Sequence, residues 1–262
     1  MSEAESAAVR PAATAAAETR PLSPLAPATW LIRGWHDFRA TGYRAAFYGL
    51  LFACMGWAVR FVYETQWQLT MGLTAGFFLL GPFVCVGIHE LSRQLERGER
   101  PSLARSLVCW RRAPGSIAFF AAMLTFLMIV WARVSVVLFA LSSTTEFPTM
   151  RGMLAQIASP QNLEFLALWS AVGFVFASLV FAISVVSMPM ILDRGSDTMT
   201  AVFTSARTLV AHPGAAYVWA ATIVVLIGAS LVLWLGLLVV TAPLVGHATW
   251  HAYRAFVTPA PE

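Results

Sequence analysis

Residues 214–256 read GAAYVWAATIVVLIGASLVLWLGLLVVTAPLVGHATWHAYRAF. All of these residues up to Tyr253 belong to a run of 46 residues, between Arg207 and Arg254, that contains no charged residue. A single straight helix over residues 214–256 would be about 64 Å long, roughly twice the thickness of the hydrocarbon core of a bilayer. We therefore predict two membrane spans in this segment, with the break near Leu235 and Gly236.

The same shortage of charge extends over most of the chain. Of its 262 residues, 58% are hydrophobic and 11% are charged, and the mean hydropathy is +0.70. Soluble domains carry about 25% charged residues. Further uncharged runs cover residues 65–89, 113–132 and 165–192. This composition excludes a soluble enzyme, a secreted disulfide scaffold and a disordered regulator, and it predicts an all-α polytopic membrane protein.

We predict six transmembrane helices, with five as the alternative. The first four cover about residues 43–63, 67–92, 115–141 and 162–192, and the last two share residues 214–256. The membrane domain then occupies residues 28–257. An Ala- and Pro-rich segment at residues 1–27 is predicted to be a disordered cytoplasmic tail, and residues 258–262 form a short C-terminal tail.

The arginines predict the orientation of the chain. All 17 basic residues are arginine, and the formal net charge is +4. With a cytoplasmic N-terminus, fourteen arginines lie inside and three lie outside: Arg60, Arg133 and Arg151. Because basic residues accumulate in cytoplasmic loops, this predicts a bacterial inner-membrane protein with both termini in the cytoplasm. The arginines stand at the ends of apolar runs, so binding of nucleic acid is not predicted.

Three short amphipathic segments are predicted to lie as helices on the membrane surface. In the first, apolar residues recur at helical spacing and charged residues face away from them: Leu31, Trp35 and Phe38 against Arg33, Asp37 and Arg39. The second and third carry apolar stripes formed by Leu103, Leu107 and Trp110, and by Met199, Val202, Phe203, Ala206 and Val210. Asp197 is expected to cap the third helix, and Asp193 to be a turn residue.

An internal repeat organises these segments. Three times a surface helix is followed by a helix start and a hairpin, and the starts read Arg39-Ala-Thr-Gly-Tyr43, Arg112-Ala-Pro-Gly-Ser116 and Ala211-His-Pro-Gly-Ala215. A proline stands near the inner end of each hairpin: Pro82, Pro189 and Pro243. Arg93 and Arg254 both follow their prolines by 11 residues. We predict three related hairpins with kinked cytoplasmic ends.

All five histidines map to the cytoplasmic boundary: His36, His89, His212, His247 and His251. His247 and His251 are four residues apart and share one helix face, and His89 lies at a comparable depth. One hypothesis is therefore a metal or haem site formed by His247, His251 and His89. The alternative, which predicts no cofactor, is that these histidines cap and pair helix ends at the interface.

No catalytic motif is present. The sequence contains no phosphate-binding glycine loop, no nucleophile elbow and no paired-cysteine motif. The polar residues in the middle of the spans are serine and threonine, whereas ion-coupled transporters depend on charged groups there. The pattern favours neither an enzyme nor a secondary transporter.

Four motifs resemble a bacterial integral-membrane family known only as the domain of unknown function 2189 family: Gly34-Trp-His-Asp37, Tyr48-Gly49, Ser187-Met-Pro-Met-Ile-Leu-Asp-Arg194 and Gly246-His-Ala-Thr-Trp-His-Ala-Tyr-Arg254. The resemblance extends over about residues 30–257. Some family members carry a provisional label as cytochrome c oxidase subunit I. That enzyme needs several histidines deep within its spans, whereas all five histidines here are at one surface. The family supplies no catalytic residues to transfer to this chain.

Three functional hypotheses follow. The leading one is a non-enzymatic inner-membrane protein that docks a membrane-protein partner or a second copy of itself through its cytoplasmic face, in contact with the lipid bilayer. The alternative is a metal- or haem-binding protein associated with a respiratory oxidase that uses His247 and His251. A weaker alternative is a carrier or channel for a neutral solute.

Overall fold

A computed structural model gives the fold and describes residues 22–65, 70–142 and 163–257. Its helices are α1 (Ala26–Thr41), α2 (Tyr43–Thr65), α3 (Thr70–Glu96), α4 (Leu103–Leu107), α5 (Pro114–Ser142), α6 (Leu163–Ser184), α7 (Ser187–Arg194), α8 (Thr198–Ala211), α9 (Pro213–Leu233) and α10 (Leu238–Phe256), with 3-10 turns at Cys109–Arg112 and Leu235–Leu237. These ranges contain no strand, so the prediction of an all-α chain is confirmed. Most of the tails predicted at 1–27 and 258–262 lies outside the described residues.

Five of the described segments are long and apolar enough to cross a membrane: Tyr43–Val62, Pro114–Leu138, Ala167–Arg194, Pro213–Leu233 and Leu235–Phe256. The span predicted at 67–92 coincides with α3, a helix of 27 residues that is not among these five. The described residues therefore support five spans, and the count of six stays a prediction.

The predicted break in the last apolar block is confirmed. Helix α9 ends at Leu233, and Trp234 is extended, with φ −167° and ψ 120°. The 3-10 turn Leu235–Leu237 then leads directly into α10. Because Trp234 leaves the helical conformation, the chain reverses here and two separate helices form.

The span predicted at 162–192 corresponds to the candidate span Ala167–Arg194, but the helix within it is interrupted. The chain leaves the helix after Ser184 and re-enters it at Ser187, so that Pro189 stands in the first turn of α7. Proline lacks an N–H and its ring would collide with the carbonyl of Val185 in an unbroken helix. The free N–H of Val186 is instead satisfied by the hydroxyl of Ser205 on α8, at 3.2 Å.

Two of the predicted amphipathic helices bury polar or small residues against the rest of the protein and leave several apolar side chains exposed. On α1 the buried residues include Trp30, Gly34 and Thr41, whereas Trp35 is 43% exposed. On α8 Thr204, Ser205 and Thr208 are buried together with Val202 of the apolar stripe, whereas Phe203 is exposed. The hydroxyls of Thr204 and Thr208 each donate to a carbonyl oxygen one turn earlier in α8. These hydrogen bonds satisfy the two hydroxyl groups although they are buried.

Helix α10 lies at the centre of the fold and contacts α1, α2 and α3. Glycines allow these close approaches, as in other membrane helix pairs. A Cβ added at Gly34 on α1 would lie 2.7 Å from the backbone nitrogen of Ala248. A Cβ added at Gly49 on α2 would overlap the backbone of Val239. The backbones of α1 and α2 therefore pack directly against α10.

We expect Gly34→Ala and Gly49→Ala to lower the free energy of unfolding by about 1–3 kcal/mol, because the added methyl group forces the packed helices apart. Gly228→Ala, in the interior of α9, is the matched control, since a Cβ there meets no atom within 4 Å. Unfolding in mild detergent, followed by circular dichroism, measures all three. Equal stabilities for the three variants would contradict this packing.

Candidate functional site

The polar side chains of the described residues converge where α3 and α10 end. We call the following set the polar cluster: Asp37 from α1, Glu90, Ser92, Arg93 and Glu96 from α3, Arg112 from the 3-10 turn, Asp193 from α7, and His247, His251 and Arg254 from α10. The cluster is built on the last two turns of α3 and the last three turns of α10, to which it connects α1 and α7.

One part of the polar cluster contains the histidines. The hydroxyl of Ser92 lies 2.6 Å from Oδ2 of Asp37 and 2.7 Å from Nδ1 of His247. Nε2 of His251 lies 2.9 Å from the same oxygen of Asp37. Nε2 of His247 lies 3.3 Å from the hydroxyl of Thr41. These contacts connect α1, α3 and α10 through one carboxylate.

The environment of Asp37 keeps its carboxyl group ionised. Burial is the largest single influence and raises the pKa of Asp37, while hydrogen bonds from His251 and Ser92 lower it. The charges of His251 and His247 act in the same direction as these hydrogen bonds, so the pKa of Asp37 is lowered. The sequence analysis placed Asp37 on the outward face of α1, and the structure corrects this.

The hydrogen bonds have a fixed direction. An ionised carboxylate only accepts, so Ser92 donates its one proton to Asp37, and Nδ1–H of His247 donates to Ser92. In a hydrolytic triad the histidine stands between the acid and the serine and takes the proton of the serine. Here the serine stands between the acid and the histidine, and Ser92 is only 1% exposed. The geometry favours a structural role over nucleophilic catalysis.

A second part of the polar cluster surrounds Glu90. This carboxylate is 1% exposed and accepts from Arg93 at 3.2 Å and from Gln94 at 3.0 Å. Arg112 adds two contacts, at 2.5 and 3.0 Å, one to each carboxylate oxygen. Such bidentate pairs combine charge with fixed geometry. Glu90 therefore holds the 3-10 turn that precedes α5 against the end of α3.

Asp193 connects α7 to both central helices. It accepts from Arg93 at 3.2 Å, from Tyr253 at 2.9 Å and from Arg254 at 3.4 Å. The prediction that Asp193 is a turn residue is wrong: it is in the last turn of α7 and carries three tertiary contacts. Asp197, in contrast, accepts from the backbone N–H of Thr200 at 3.0 Å, so its predicted N-cap role is confirmed.

Two further contacts join α3 directly to α10. The indole N–H of Trp250 donates to Glu96 at 2.9 Å, and the guanidinium group of Arg254 donates to the same carboxylate at 2.9 Å. Arg93 and Arg254, which follow their prolines by the same number of residues, thus both contact Asp193. The sequence analysis noted this spacing but did not predict that the two arginines converge on one acid.

The three histidines proposed as metal ligands differ in their hydrogen-bond partners. Both ring nitrogens of His247 contact hydroxyl groups, and His251 contacts Asp37. His89 is buried, and its Nδ1 has no hydrogen-bond partner in the described part of the chain. Among the described residues, no three His, Cys, Asp or Glu side chains are grouped so that they could hold a metal ion. Metal or haem binding by His247, His251 and His89 stays a prediction.

Sequence reasoning missed Ser92 and most of the ionic contacts. The signal available for Glu90 and Arg93 was their spacing of three residues at the end of a long apolar helix. No comparable signal marks Ser92, because a serine near a helix end is common. Its importance comes from the approach of α1, more than fifty residues away in the chain.

The apolar helices and the buried polar cluster define an integral membrane protein of the all-α class. Residues 69–193 match the model of a family described as Predicted integral membrane protein (DUF2189). The predicted family resemblance is thereby confirmed for this segment, which ends at Asp193 and excludes α1, α2 and α8 to α10. No curated protein and no solved structure matches the chain.

We expect Asp37→Asn to lower the free energy of unfolding by about 1.5–3 kcal/mol, because Ser92 and His251 lose a charged acceptor. Asp197→Asn is the matched control: it makes the same change at an exposed N-cap, where asparagine serves as well as aspartate. Chemical unfolding in detergent near pH 7 measures both. An effect of Asp37→Asn no larger than that of the control would contradict the role of Asp37.

The contribution of Asp37 to the free energy of unfolding should also depend on pH. Because folding lowers the pKa of Asp37, its stabilising contribution is fully present above the unfolded value of 3.8. The contribution is lost as the pH falls through the lower pKa of the folded protein. The stability difference between wild type and Asp37→Asn should therefore stay constant from about pH 7 to about pH 5 and shrink in stronger acid. A difference that grows in acid would contradict this.

Proposed function

We propose that this protein is a non-enzymatic component of the bacterial inner membrane whose cytoplasmic end docks an acidic segment of another membrane protein. In this proposal the chain has six spans, arranged as three related hairpins with α3 as the second span, and both termini are cytoplasmic. The proposal rests on one observation: the end of the bundle that carries the polar cluster has a surplus of exposed arginines.

The arginine surplus is clear from the exposed charges at that end. Exposed arginines of the described segments there are Arg33, Arg39, Arg97, Arg100, Arg105, Arg111, Arg112 and Arg207. Arg105 pairs with Glu99 and Arg112 with Glu90. The other six have no carboxylate partner within the described ranges. Such a surface attracts acidic partners and disfavours face-to-face docking of two copies, which would place like charges together.

The interior of the cluster supports docking rather than chemistry. Its acids and histidines are engaged with one another, and Ser92 and His247 are buried. A partner would therefore bind the surface of α1 and the loop after α3, which the polar cluster holds in fixed positions. The outward side of α1 presents Arg33, His36 and Arg39.

The three helix starts of the predicted repeat support the hairpin arrangement. Helix α2 begins at Tyr43, α5 at Pro114 and α9 at Pro213, each immediately after a shorter helical segment. Proline in the first turn suits a helix start because its missing N–H would have no partner there.

In vivo photocrosslinking tests the docking proposal. p-Benzoylphenylalanine is incorporated at His36 or, as the matched control, at Trp234, an exposed ring at the opposite end of the bundle. We expect a discrete crosslinked species at position 36 and none at position 234, with the crosslink mapping by mass spectrometry to an acidic segment of the second protein.

Charge reversal makes this experiment specific. Arg33→Glu together with Arg39→Glu should abolish the crosslink at position 36 while leaving expression and helicity unchanged, because both side chains are exposed. A crosslink that survives charge reversal, one that joins two copies of this chain, or equal crosslinking at positions 36 and 234 would each overturn the proposal.

A further inference from the structure

A groove of about 470 Å³ lies between α3 and α5, on the side of the bundle rather than in its interior. Its lining is apolar and includes Leu80, Phe83, Trp110, Ile117 and Ala121, with Thr125 at one end. The hydroxyl of Thr125 donates to the backbone oxygen of Ala121 at 2.8 Å, so its proton is not available to an occupant. This lining suits a hydrocarbon chain.

The length and depth of the groove suit one leaflet of a bilayer. Its α5 wall extends from Pro114 to Thr125, which is about 17 Å of helix at 1.5 Å per residue. Half of a hydrocarbon core is about 15 Å thick. The groove begins beside the polar cluster, where Arg112 precedes α5, and continues toward the middle of the membrane.

The rim of the groove carries a positive charge. The guanidinium carbon of Arg111 lies 5.5 Å from the ring centroid of Trp110, which itself lines the groove. Arg111 is exposed, and no carboxylate in the described part of the chain pairs with it, whereas the neighbouring Arg112 is held by Glu90. Tryptophan and arginine are the side chains that favour the headgroup region of a membrane.

We propose that this groove is a binding site for one acyl chain of an anionic phospholipid, whose phosphate group contacts Arg111. The apolar wall of the groove binds the acyl chain. The unpaired guanidinium group of Arg111 favours a negatively charged headgroup. Zwitterionic phospholipids have the same acyl chains but carry no net charge, so they should bind to this site more weakly. This site is independent of the docking surface around α1.

Native mass spectrometry of the protein with added phosphatidylglycerol or phosphatidylcholine tests the site. We expect wild type to bind phosphatidylglycerol about fivefold more tightly, the factor that corresponds to about 1 kcal/mol for one basic residue at an anionic surface. Arg111→Gln should bring the two affinities together. Arg207→Gln, which removes an exposed arginine on α8, is the matched control and should leave the preference unchanged.

A second pair of variants tests the groove itself. Ala121→Phe fills the groove and should lower binding of both lipids about tenfold or more, whereas Ala122→Phe adds the same ring to an exposed position outside the lining and should not. Equal lipid binding by these two variants, or equal loss of preference in Arg111→Gln and Arg207→Gln, would overturn the proposal. Neither result depends on whether a protein docks at α1.

Discussion

The buried guanidinium group of Arg93 is the constraint on which the arrangement of the helices depends. This side chain is 10% exposed and contacts Glu90 within α3 and Asp193 on α7. A buried charge without partners is costly by several kcal/mol. The chain must therefore bring α7 against the end of α3, and the break before Pro189 allows α7 to turn into that position.

The acids of the polar cluster are engaged in contacts of the same structural kind. Glu90, Asp193 and Asp37 are engaged by arginines, hydroxyl groups and a histidine, and each of these acids has at least one contact with another helical segment. The few polar residues of the cluster thus serve to connect the helices to one another. Surfaces remain for interaction: the arginines around α1 and the apolar groove beside α5.

Much of the fold could be predicted from the sequence, because long uncharged runs and proline at helix starts are local signals. The break near Leu235 and the start of α9 at Pro213 are examples. The break at residues 185–186 was missed because hydropathy does not change there. Asp37 and Asp193 were misassigned because their contacts come from helices distant in the chain, which spacing alone cannot indicate.

A double-mutant cycle on Arg93 and Asp193 tests most directly whether this ionic contact holds α7 against α3. Arg93→Gln, Asp193→Asn and the double variant are unfolded in detergent beside the matched exposed pair Arg105→Gln and Glu99→Gln. The buried pair should show a coupling energy of about 2 kcal/mol or more, and the exposed pair less than about 1 kcal/mol. A coupling near zero for the buried pair would contradict the central role of Arg93.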